Sequence, residues 1–237
     1  MHVKASLQPA RRHGVGRVFH NVARLPQRTY ASVKRLIDPS YALERQARSV
    51  ASWFNDDELA RLESISGMCS HRECRLLAFL TSRAAAGGDV VEIGAWKGRM
   101  TAWLVAAAER RPERPQVWSI DPHQNGSWED FCQTVARFQL DKRGAHICRV
   151  SSRDLGAMWC RPISMLWIDG CHEYPAVSQD LAEFAPHVVV GGWVALDDSV
   201  GGTFPGVERA IAEWQAKAQN YSHVATVRNV SVFRRAA

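Results

Sequence analysis

The 237-residue chain has no run of 18 or more apolar residues, so nothing in it reads as a membrane-spanning helix. Residues 1 to 40 lack the continuous apolar core of a secretory signal. The six cysteines form no C-x-x-C pair and no disulfide-like spacing, which argues against a zinc ribbon or a small cross-linked scaffold. Cys132, Cys148 and Cys171 sit in or beside apolar stretches and read as reduced, buried thiols. Acidic residues are missing from the N-terminal region, where Asp38 is the first. Residues 1 to 50 carry ten Lys/Arg against two acids, and the remainder 20 against 22, so the formal charge of +6 belongs to the N-terminal segment. A body this close to neutral gives no basic face for nucleic acid. The Ala- and Arg-rich composition suggests a cytoplasmic enzyme, although the acid-free start is also compatible with an organellar transit peptide.

These limits leave an expected division into a basic arm, residues 1–50, and one domain, residues 51–237. The arm has scattered Pro and Gly and room for short helices at 17–24 and 28–37; a substrate lid and a contact with an anionic membrane surface both remain open for it. Asn55, followed by Asp56, Asp57 and Glu58, marks a helix N-terminus. A second helix is predicted over 71–86, stopped by Gly87 and Gly88.

From Asp89 onward, short β-branched-rich strands alternate with helices. Strands are predicted at 89–93, 116–120, 146–150, 163–168 and 193–197, with helices at 99–110, 129–140, 175–185 and 206–218. "HVATV" and "VSVFR" around Arg228 and Asn229 read as a closing hairpin. The pattern predicts an α/β fold: a Rossmann-like, seven-stranded, mainly parallel sheet with helices on both faces and an antiparallel C-terminal hairpin.

In such sheets the ligand lies beyond the carboxyl ends of the strands. After the first strand, "VVEIGAWKGRM" has Glu-x-Gly-x-x-x-Gly, not the G-x-x-x-x-G-K-[ST] of a phosphate loop. Trp96 stands where a dinucleotide site would need its middle glycine, and its bulk would obstruct a pyrophosphate. An acid and a wide glycine turn suit a cationic, phosphate-free ligand. The second strand, in "VWSIDPH", ends in Asp121, whose two acceptor oxygens suit a pair of ribose hydroxyls.

These two segments, in register, resemble the first motifs of class I S-adenosylmethionine-dependent methyltransferases. The resemblance covers residues 70 to 235 and implies that Glu92, Gly94, Trp96, Gly98 and Asp121 hold S-adenosylmethionine. It also puts Ser152 and Arg153, after the third strand, at the adenine edge. The fourth and fifth strands leave as "LWIDGCHEY" and "WVALDDS", so Asp169, Asp197 and Asp198 share one end of the sheet, a like-charge cluster that calls for a cation.

That cluster resembles the metal site of catechol- and caffeoyl-coenzyme A-type O-methyltransferases, and implies Mg²⁺ or another divalent cation on Asp169, Asp197 and Asp198. Those enzymes have an Asp-Asn pair where this chain has Asp197-Asp198. "D-G-x-H-x-Y" with a later "GG-x-x-x-x-D-D" is also similar to a bacterial branch acting on sugar hydroxyls. His172, three residues past Asp169, is the implied general base, with a metal ligand as the competing role. The expected acceptor is a hydroxyl of a small molecule or glycan, and self-association is left open. A nicotinamide oxidoreductase on a similar fold, and a peripheral membrane or interaction protein that merely binds cofactor, are the rival readings.

Overall fold

In a computed structural model, the structure describes residues 38–237. The helices expected at 17–24 and 28–37 lie outside that range. Two short helices with complete capping boxes precede the sheet. In α2 (Asp56–Glu63) Asn55 and Glu58 satisfy each other's backbone N–H, and in α3 (His71–Arg83) Ser70 and Glu73 do the same.

Ahead of them, α1 (Pro39–Arg48) begins on Asp38, whose side chain accepts from the Ser40 N–H, and a 3₁₀ turn (Ser49–Trp53) follows. Leu43, Ala47 and Val50, inside the segment expected to be an arm, are buried in the main core. The packed body therefore starts near Pro39.

The remaining elements are β1 (Asp89–Ile93), α4 (Arg99–Ala108), β2 (Val117–Ile120), α5 (Trp128–Phe138), β3 (Ala145–Cys148), α6 (Ser152–Gly156), β4 (Ile163–Ile168), α7 (Tyr174–Phe184), β5 (Val188–Leu196), α8 (Pro205–Lys217), β6 (Tyr221–Val227) and β7 (Val230–Arg235). The seven strands run in the order β3-β2-β1-β4-β5-β7-β6. The first five are parallel, while β7 inserts antiparallel between β5 and β6. The fold expectation holds. β5 begins five residues earlier than predicted, because Gly191, at φ +80°, and Gly192 interrupt the apolar run without ending the strand.

Period-two alternation sorts the side chains between two cores. Val90, Met165, Trp167 and Ala195 face α1 to α5, and Val91, Leu166, Ile168 and Leu196 face α7 and α8. Trp103, Trp167 and Phe184 are fully buried and anchor these layers, each worth roughly 2–3 kcal/mol of transfer free energy. Among the described residues, no helix is long and apolar enough to cross a membrane.

All six cysteines are free. The expectation for the buried ones needs correction: Cys69 and Cys74 are buried, Cys132 and Cys148 half-buried, and Cys171 exposed. Cys171 follows a strand but lies in the loop beyond its end, so the apolar run before it gives no cover.

Candidate functional site

β1 ends at Ile93 and the chain turns through Gly94, Ala95, Trp96 and Lys97 to Gly98, which caps α4. Gly94 has φ +90°, and a Cβ there would meet the Asp169 carbonyl oxygen at 2.1 Å, so only glycine lets the ends of β1 and β4 approach. Trp96 also has positive φ, at +46°, a conformation that is costly for a bulky side chain.

Asp121 holds the turn in place. Its Oδ2 accepts the Ala95 and Trp96 N–H groups at 2.9 and 2.8 Å, and its Oδ1 accepts the His123 N–H at 2.7 Å. A carboxylate has about four acceptor positions, so three are committed to protein and one stays free for a ligand hydroxyl. Glu92 lies beneath the turn, fully buried. Its Oε2 accepts from Thr101 and Ser119 hydroxyls at 2.6 and 2.7 Å, while Oε1 has no hydrogen-bond partner among the described residues. Burial pushes the Glu92 carboxyl up to about 8.

The structure thus brings Glu92, Gly94, Trp96, Gly98 and Asp121 together. Ser152 is half-buried on the first turn of α6, beside Asp180, and Arg153 is exposed, with no ion pair among the described residues. Sequence reasoning missed His123, two residues past Asp121. Its ring lies 5.1 Å from Trp128 and 4.7 Å from Phe131, and its Nδ1 pairs with Ser127 Oγ at 2.9 Å. Burial holds this imidazole below its ordinary value, hence neutral. Its place inside "DPH" was the available signal.

The acidic end forms where β4 and β5 stop. Asp169 Oδ2 accepts from the Cys69 thiol at 3.2 Å, and Asp169 Oδ1 lies 3.7 Å from His172 Nε2. His172 Nε2 is also 3.5 Å from Asp198 Oδ2, is buried, and makes no hydrogen bond among the described residues. Asp197 Oδ1 accepts the Asp198 N–H at 2.9 Å. Asp198 sits at φ +50°, and its Oδ1 accepts from the Asn229 amide at 3.1 Å. Asn229, at the tip of the β6–β7 hairpin, also accepts from Ser199 through its carbonyl. Nothing local in the sequence signals this contact, which joins positions 31 residues apart.

Burial, and then each other's charge in the case of Asp197, raise both acids: Asp169 is shifted up and Asp197 reaches about 7. One half-buried and one buried carboxyl this close together are what a cation would relieve, so the donor set fits one. The ligand atoms of Cys69, Asp169 and Asp197 all lie within 4.8 Å of one another. Asp198, expected beside these acids, has its oxygens toward Asn229 and His172, and Cys69 from the α2–α3 loop stands against Asp169 instead. The neighbouring Asp169 carboxylate raises the His172 imidazole above its ordinary value, against a smaller opposing effect of burial.

Residues 91–199 match the family model described as a methyltransferase domain. That segment, a little under half of the chain, is similar to such a domain. Solved structures share the fold of this chain at low identity. The O-methyltransferase NovP is 17% identical with a TM-score of 0.61, covering 84% of this chain and 100% of its own. TomG of Streptomyces achromogenes, an O-methyltransferase of tomaymycin synthesis solved with S-adenosylmethionine, is 15% identical at a TM-score of 0.57, covering 87% and 95%. CalS11, a TDP-rhamnose 3'-O-methyltransferase of calicheamicin biosynthesis, is 13% identical at 0.58, covering 81% and 92%. No curated protein matches the chain in sequence.

Proposed function

We propose that this protein is an S-adenosylmethionine-dependent methyltransferase that methylates a hydroxyl group of a small molecule or glycan, assisted by a divalent cation. The observation that carries the reading is the convergence of His172, Asp169, Asp197 and Asp198 at the strand ends beside the glycine turn. S-Adenosylmethionine supplies an electrophilic methyl group, and the protein's task is to hold an acceptor oxygen in line with it. Asp121, with one acceptor position free, binds the ribose, while Glu92, Gly94, Trp96 and Gly98 shape the turn around the cofactor. Ser152 and Arg153 border the adenine side.

Asp169 and Asp197 hold the cation, Mg²⁺ or another divalent ion, with Asp198 beside it. Such an ion lowers the pKa of a bound hydroxyl and fixes its direction. His172 Nε2, 3.7 Å from Asp169 and 3.5 Å from Asp198, makes no hydrogen bond among the described residues and takes the acceptor's proton. The O-methyltransferase names of NovP, TomG and CalS11 support the choice of oxygen as acceptor.

The basic segment before Asp38 draws anionic acceptors or an anionic membrane surface toward the domain, which begins near Pro39. The near-neutral body does not favour nucleic acid, and an intracellular setting suits six free cysteines.

The test is methyl transfer from labelled S-adenosylmethionine to a panel of catechols, nucleotide sugars and matched amines, with and without chelator. Transfer to oxygen that stops in chelator and returns with a divalent ion is expected. Faster transfer to the amines, or full activity in excess chelator, refutes the acceptor or the metal part respectively.

A further inference from the structure

We infer that the Cys69 thiolate is a ligand of the cation site, so that the site selects a thiophilic divalent ion such as zinc or cobalt over magnesium. The inference rests on the cation of the proposed function and goes beyond it, since the aspartates at the strand ends alone would describe an all-oxygen, magnesium-type site.

Three chain segments deliver the donors. Cys69 comes from the loop between α2 and α3, Asp169 from the end of β4 and Asp197 from the end of β5, all within 4.8 Å of one another. Cys69 Sγ stands 3.2 Å from Asp169 Oδ2. Sulfur and oxygen ligands on one tetrahedral ion, at about 2.3 and 2.1 Å from it, are themselves about 3.5 Å apart, so little movement is required. The all-oxygen alternative would need Asp198, whose two oxygens are directed at Asn229 Nδ2 (3.1 Å) and His172 Nε2 (3.5 Å).

The loop carrying Cys69 is fixed before any ion arrives. Arg99 donates through Nε to the Ile65 carbonyl and through Nη1 to the Cys69 carbonyl, both at 2.6 Å. At the same place His172 Nε2, a buried nitrogen that makes no hydrogen bond among the described residues, stands 3.7 Å from Asp169 Oδ1 and 3.5 Å from Asp198 Oδ2, so it meets the carboxylates by charge alone. An acceptor hydroxyl held by the cation would supply the hydrogen bond this nitrogen lacks. On binding, the thiol proton leaves to solvent, and the S–H···O contact is replaced by sulfur–metal and oxygen–metal bonds. A thiolate donor favours borderline ions, whereas magnesium requires near-octahedral oxygen.

The experiment titrates the metal-free, reduced full chain with cobalt(II) and records absorption. A near-ultraviolet thiolate-to-cobalt charge-transfer band saturating at one equivalent is expected, with zinc displacing the cobalt and magnesium in large excess failing to do so. Cys69→Ser and Cys69→Ala, checked for folding by circular dichroism, should lose the band and bind cobalt at least about tenfold more weakly. Cys148→Ser should keep both. Cobalt binding without the band, or a band unchanged in both Cys69 variants, overturns the inference while leaving the cation of the proposed function in place. Absence of any cobalt, zinc or magnesium binding to the wild-type chain overturns both.

Discussion

Replacing Glu92 by Gln should reverse the order of stability of the two proteins between acid and alkaline pH. Glu92 is fully buried, its Oε2 serves two hydroxyls and its Oε1 has no hydrogen-bond partner among the described residues. Burial moves its carboxyl from an ordinary 4.5 to about 8, so the folded protein keeps this proton over a range where the unfolded chain has lost it. A raised acid contributes stability that is complete below the unfolded value and disappears as pH rises through the folded one. At about 1.36 kcal/mol per pH unit, a displacement from 4.5 to about 8 bounds the loss at roughly 5 kcal/mol, and relaxation around the charge brings it to about 2–4 kcal/mol.

Glutamine does not titrate, so Glu92→Gln should lack this part of the slope. At pH 5 the variant should be equal to wild type or about 1–2 kcal/mol less stable, because one amide N–H bond acquires no acceptor. At pH 9 it should be the more stable protein. Urea unfolding at five pH values between 4.5 and 9 measures both curves. Parallel curves would show that the Glu92 proton is not held by burial and would refute the reasoning. Asp180 and Asp197, raised to about 6 and about 7, give both proteins a decline of the same sign, which is why the difference between them is the quantity to read.

Asp121→Ala should weaken S-adenosylhomocysteine binding by about 1.5–3 kcal/mol in calorimetry, because the ribose acceptor and the anchor of the Ala95 and Trp96 N–H groups disappear together; unchanged affinity removes the ribose role. His172→Ala should lower kcat by roughly 10²–10⁴ and abolish the acidic limb of the pH–rate profile, which in wild type lies above 6.5 because Asp169 favours the imidazolium. If the variant keeps the limb, another group is the base. Deleting residues 1–37 should preserve folding and cofactor affinity and raise KM for an anionic acceptor. Deleting residues 1–48 instead removes buried Leu43 and Ala47 and should cost at least about 3 kcal/mol in denaturant unfolding; equal stability of the two truncations would contradict the packing of α1.

The sheet was legible because parallel strands covered on both faces must be apolar throughout, and β4, "ISMLWI", has no buried charge to obscure it. The helix α1 was not, since among its ten residues only Leu43 and Ala47 are buried, too few to set a helical period against three charged neighbours. The acids of the site could be read from strand ends, where position alone gives direction. Which acid faces which group could not: Asp198 is rotated by a positive φ and an amide from a distant hairpin, and Cys69 lies in a loop without periodicity. His172 and Asp169 are three residues apart and were readable as neighbours, whereas the 100 residues separating Cys69 from Asp169 left no trace in the sequence.

Arg99 links two parts of the molecule that a redesign would prefer to treat separately. It is the first residue of α4, immediately after the glycine turn, and its guanidinium holds both ends of the segment from Ile65 to Cys69. A Cβ on Gly67 would meet the Arg99 side chain at 2.6 Å, so this segment follows its contour closely. Exchanging residues 65–69 therefore also disturbs the first turn of α4, directly behind the glycine turn. A library that varies this segment while holding Gly67 and Arg99 constant leaves that turn least disturbed.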